Sequence, residues 1–209
     1  MTIPTKIRWM MTGKIEREIR ALVRPVETRA DGEKMTVAGY AAVFGQETDI
    51  AEEFIEVIEP GAFERSINGE DVLALYQHNP CCILGRKSAG TLRLKEDNKG
   101  LAVEIDLPNT TNGRDVRELI QRGDISGMSF GFYVPDTLSE KWDFSVEPPR
   151  RRILNVELYE VSIVANPAYS GTSVALRSRD NARAASEIRS ILPASRLRMK
   201  VGIDLALRK

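Results

Sequence analysis

A single histidine limits the acid–base chemistry open to this chain. His78 ends the apolar run that begins at Val72 and is followed by Asn79 and Pro80, which places the imidazole at a strand end beside a turn. Imidazole exchanges protons near neutral pH, although a lone histidine is more often structural. HExxH zinc hydrolysis and two-histidine relays are excluded, and no CxxC, GxGxxG or P-loop pattern occurs. No cofactor and no metal site is expected. A second segment with chemical potential runs from Gly123 through Ser126, Gly127, Ser129 and Gly131 to Phe132. Extended, it puts Ser129, Gly131 and Tyr133 on one face and Phe130, Phe132 and Val134 on the other. Ser129 would then stand between residues without side chains, where a peptide backbone can approach closely; a crowded strand relieved by glycine is the plainer alternative. The third segment, Arg151 to Tyr169, carries Glu160 among apolar neighbours. A carboxylate there requires a partner, either a catalytic base or an arginine such as Arg152.

Strands must position most of these residues. Short apolar or β-branched stretches cover Ile19–Val26, Lys34–Phe44, Phe54–Ile58, Val72–Tyr76 and Thr91–Leu94. Leu101, Val103, Ile105 and Leu107 alternate with polar or small residues, the period of a half-buried strand. Ile125–Val134, Trp142–Val146 and Ile153–Val164 complete the set. Two helices are expected, Pro60–Ile67, and Asn112–Arg122 with Thr110 or Thr111 as cap and Gly123 as stop. Many short strands with few helices predict a mainly β, α+β fold, organised as a closed or nearly closed β-barrel with a few surrounding helices.

The chain has 209 residues, enough for one domain with a tail, and its Lys+Arg and Asp+Glu counts are both 30. Zero net charge argues against a general polyanion binder, but the charge is uneven. Residues 177–209 hold nine basic residues and three acids, a net of +6, leaving −6 on residues 1–176. The expected division is therefore an N-terminal segment 1–15, a body 16–176 and a basic tail 177–209, with a short helix over Ala182–Leu192 before Pro193. The tail reads either as a solvated terminus or as a docking segment; without an aromatic residue it is thin evidence for nucleic-acid binding. No membrane-spanning run and no secretory signal are read from the sequence. Cys81 and Cys82 are adjacent, a spacing that disfavours a bridge and points to a reducing compartment.

Taken in order, these segments resemble the prohead (head-maturation) serine proteases of tailed bacteriophages, a family related to the herpesvirus assembly proteases. The carriers are Val37–Phe44, Ile58–Phe63, Tyr76–Pro80 with Leu84-Gly85-Arg86, Gly123–Ile125, Met128–Phe132, and Leu158–Val164 with Asn166–Tyr169. The resemblance implies His78 as general base and Ser129 as nucleophile. The herpesvirus enzymes use a second histidine, which this chain lacks; Glu160, in a matching motif, is the expected third member. Asn79 stands where the family commonly has Asp, so no acid acts from that position. A turn at Arg150–Arg152 is the expected source of oxyanion donors, on the distant herpesvirus likeness. The implied substrates are the scaffolding part of the major capsid protein and the protease itself, inside the assembling prohead in the host bacterial cytoplasm. A homodimer would match the herpesvirus enzymes, and the basic tail would serve packaging. No membrane and no specific nucleic acid is an expected partner. Two other readings compete: an inactive scaffold or capsid-assembly protein on the same fold, and a nucleophile at Cys81 or Cys82.

Overall fold

A computed structural model describes residues 17–23, 27–31, 34–165 and 172–191. Thirteen strands are described: β1 (Glu18–Val23), β2 (Glu27–Asp31), β3 (Lys34–Val43), β4 (Thr48–Ile50), β5 (Phe54–Ile58), β6 (Leu73–Tyr76), β7 (Asn79–Arg86), β8 (Leu92–Glu96), β9 (Gly100–Asp106), β10 (Gly127–Tyr133), β11 (Glu140–Asp143), β12 (Arg150–Ile153) and β13 (Glu157–Val164). Three helices accompany them: α1 (Glu64–Gly69), α2 (Thr111–Gln121) and α3 (Thr172–Ile191). Helix α2 begins as its sequence dictates, with the Thr110 hydroxyl accepting from the Gly113 amide at 3.2 Å. Gly123, at φ +81°, turns the chain away after its last residue.

The strands form a five-stranded sheet ordered β1-β10-β13-β6-β7 and two four-stranded sheets, β11-β12-β5-β4 and β2-β3-β9-β8. The mainly β expectation is met. The closed barrel is not seen: among the described residues each sheet is open, with two edge strands. Here β5 pairs in parallel with β12, which places Phe54–Ile58 in the β11-β12-β5-β4 sheet, apart from the other two. The apolar core gathers alternate residues of facing strands, among them Val37, Leu101, Val103 and Ile105 with Met128, Phe130, Phe132, Val161 and Ile163. The Phe130 ring stacks on Phe132 at 5.2 Å and meets Phe63 edge-on at 5.4 Å.

One seam between sheets is ionic. Arg20 on β1 and Arg151 on β12 share Glu18 and Glu56, with contacts from 2.6 to 2.9 Å, and Arg151 also reaches Glu140 at 2.6 Å. Glu18, Arg20, Glu56 and Arg151 are all buried. Burial alone would raise the Glu56 carboxyl, but the two guanidinium groups outweigh it and hold it below the usual carboxylate range.

The described chain divides into units 1–174 and 175–209. Residues 182–191 of the helix expected at Ala182–Leu192 are part of the longer α3, and Leu192 lies outside the described residues. Residues 1–15 and the Asn166–Tyr169 motif lie outside the described residues, as do residues 24–26 of the first expected strand.

Candidate active site

The site is built on three neighbouring strands. On β10, Met128, Phe130 and Phe132 point into the core, so Ser129 and Gly131 face the other way. β10 lies between β1 and β13; Ser129 is in register with Ala21 on one side and Ser162 on the other. On β13, Val161 and Ile163 enter the core, which turns Glu160 and Ser162 to the face that carries Ser129. A bulge assists: Gly131 pairs with Glu160 and Phe132 with Leu158, leaving Tyr159 without a register partner. Beyond β13 lies β6, which pairs with it in parallel and ends at Tyr76.

His78 follows at the tip of the β6–β7 hairpin. Tyr76 pairs with Asn79, and Gln77 and His78 have φ of +54° and +57°, the left-handed pair of a two-residue type I′ turn. Glycine or asparagine would be the easy choice there; an imidazole held in this conformation is a strained arrangement that surrounding contacts must maintain. They do so from β13. The Gln77 amide donates to the Ile163 carbonyl at 3.0 Å and the His78 amide donates to Ser162 Oγ at 3.2 Å. Pro80 does not end the strand as expected but lies inside β7, an edge strand, where a missing N–H is tolerated.

His78 Nδ1 lies 2.7 Å from Glu160 Oε1, with the imidazole about a quarter exposed and the carboxylate buried. The second carboxylate oxygen accepts from Ser162 Oγ at 2.5 Å. Glu160 thus pairs with the histidine and not with Arg152, which bonds to Glu59. Ser162 is a residue the sequence reading missed. It joins acid and histidine by donating to one and accepting from the other's backbone, and its only sequence signal is its position two residues after Glu160, on the same strand face. Tyr159 lies beside this pair. Burial, then the Glu160 carboxylate, push its phenol well above the ordinary range, so it stays protonated.

Ser129 is on the same face, one strand away from Glu160, but is fully buried. Its hydroxyl donates to the Arg20 carbonyl on β1 at 2.7 Å, so among the described residues His78 is not its acceptor. Arg150–Arg152 is not a turn. It forms β12 in another sheet, in register with β5 on one side and β11 on the other, so the expected oxyanion donors are already flanked by strand partners. Cys81 and Cys82 are free thiols, the first exposed. Among the described residues no group of three or more His, Cys, Asp or Glu side chains could hold a metal ion, and no helix is long and apolar enough to cross a membrane.

A histidine locked to a buried carboxylate beside a strand-borne serine is an arrangement for activating a hydroxyl. The structure of the bacteriophage T4 capsid assembly protease matches with a TM-score of 0.50 at 13% identity, over 73% of this chain and 98% of that one, a likeness of fold. The prohead protease of Enterobacteria phage HK97 is 28% identical over 155 residues, 72% of this chain; the chain spans 63% of that relative's length. The family model described as caudovirus prohead serine protease matches residues 23–186, most of the chain, and the chain therefore belongs to that family.

Proposed function

We propose that this chain is a serine endopeptidase of capsid maturation, with Ser129 as nucleophile, His78 as general base and Glu160 as the acid that orients it. The observation that carries the reading is the 2.7 Å contact between His78 Nδ1 and Glu160 Oε1. With Nδ1–H given to the carboxylate, Nε2 is the ring nitrogen left to accept a proton. Rotation of the Ser129 hydroxyl from the Arg20 carbonyl to Nε2 starts the reaction. Oγ attacks the scissile carbonyl as its proton passes to Nε2, and the imidazolium then returns that proton to the leaving amine. Water repeats the sequence on the acyl-enzyme. Glu160 stabilises the imidazolium, and Ser162 fixes the carboxylate that does so. The substrates we infer are the scaffolding part of the major capsid protein and the chain itself, acted on within the assembling prohead, with the basic tail as a packaging segment.

The burial of Ser129 favours a second reading, a catalytically inactive capsid-assembly protein on the same fold. The deciding experiment is intact mass on wild type, Ser129→Ala and His78→Ala, each co-expressed with the capsid protein. Fragments of either protein seen with wild type and absent from both variants establish the protease. Identical patterns from all three, with assembly intact, establish the alternative.

A further inference from the structure

The geometry points to a second binding site, a groove between β7 and α2 that takes an acidic peptide segment of a partner protein with one bulky apolar side chain. The groove has a volume of about 880 Å³ and lies wholly within the first unit. Its apolar lining comes from Met35, Ile83, Leu84 and Leu107, and Ile83 keeps 48% of its surface exposed on an edge strand. An apolar groove of this kind, bordered by charged groups, has the form of an interaction surface. Here they are Arg114 and Arg117, three residues apart and therefore on one face of α2. Arg114 bonds to the Asn109 carbonyl and side chain and to Thr111, all uncharged. Arg117 has no hydrogen bond or ion pair among the described residues. The carboxylate in the lining, Asp106, is held at both oxygens by Arg93, and Arg86 is paired with Asp71. Two uncompensated positive charges thus border the groove, on a body whose formal charge is −6.

Charge selects the occupant. Residues 177–209 carry +6, and residues 1–15 contain Lys6, Arg8 and Lys14 without an acid, so both ends of the chain have the sign of the rim and are repelled by it. An acidic segment of another protein complements the rim, and its apolar side chain covers Ile83. The site is separate from the His78 hairpin tip and does not depend on the proposed catalysis.

The test is fluorescence anisotropy on the full chain, with a labelled short peptide bearing a central leucine between pairs of glutamates. Saturable binding is expected, weakened about tenfold by Arg117→Glu and by Ile83→Ser, and absent for the peptide with lysines in place of glutamates. Arg117 is exposed and has no partner among the described residues, so its replacement leaves the fold intact, which a melting curve checks. Equal binding of the glutamate and lysine peptides, or binding that Arg117→Glu does not change, would overturn the proposal. So would equal competition by a single-stranded oligonucleotide, or loss of self-association in Arg117→Glu, which would give the groove to a second copy of the chain.

Discussion

The proposed catalytic residues have different duties, so each should fail differently. Ser129→Ala and His78→Ala remove the nucleophile and the base, and each should lower the rate of capsid-protein processing by about 10⁶-fold. Glu160→Gln keeps the shape but loses the charge that stabilises the imidazolium, with an expected loss of about 10⁴-fold in kcat. Ser162→Ala is the more informative substitution. It leaves Glu160 Oε2 and the His78 amide without their partners, in a setting where an unmet polar group costs about 1–3 kcal/mol. The expected result is a kcat lower by about ten- to a hundredfold with KM nearly unchanged, since Ser162 bonds to the histidine amide and to its acid. A loss in KM alone would show that Ser162 lines the substrate path instead.

At the scale of elements, two backbone features hold the site. One is the close approach of β10 and β13 at Gly131, where an added Cβ would meet the Tyr159 ring and come within 2.6 Å of Glu160 Oε1. Both must move, so Gly131→Ala should displace the carboxylate from His78 and lower the melting temperature as well as activity, since a buried carboxylate loses a partner; an unchanged melting curve with full activity would show that the strands part without disturbing the pair. The other is the β6–β7 turn. Gln77 is exposed and left-handed, so Gln77→Gly removes strain of about 1 kcal/mol and should leave the melting temperature level or higher, whereas a β-branched residue there should lower it. How much of this was legible follows from range. His78, Ser129 and Glu160 are candidates through the family resemblance of the short segments that hold them, whereas the residues alone leave a structural role open for each. The strand β7 was missed because Pro80 reads as a terminator until the strand is known to be an edge. The separate β12 was missed because Leu154–Val156 continues the apolar character of β13 without pairing. Helix α2 was legible to within a residue, since its cap and its glycine stop are both local.

Across the whole molecule, the ionic seam is the feature least visible in the sequence, and it ties β1 to the β11-β12-β5-β4 sheet. Arg150–Arg152 is expected as a turn, yet Arg151 is 1% exposed because its partners Glu18, Glu56 and Glu140 arrive from three other strands. The same seam fixes Arg20, whose backbone carbonyl holds the Ser129 hydroxyl, so the sheet interface and the nucleophile share one residue. Removing one charge from a buried network leaves the others uncompensated, and Glu56→Gln should destabilise the protein by about 3–5 kcal/mol at neutral pH. Acid should do the same to the wild type. The Glu56 carboxyl is held below its unfolded value, so its contribution is complete above that value, near pH 4.3 for a free glutamate, and is lost as the pH falls through the lower folded value. Melting temperatures from about pH 6 down to 2 should therefore drop steeply for wild type and less steeply for Glu56→Gln, which has already lost the titrating group. Parallel curves would assign the acid sensitivity to other carboxylates and leave Glu56 a packing residue.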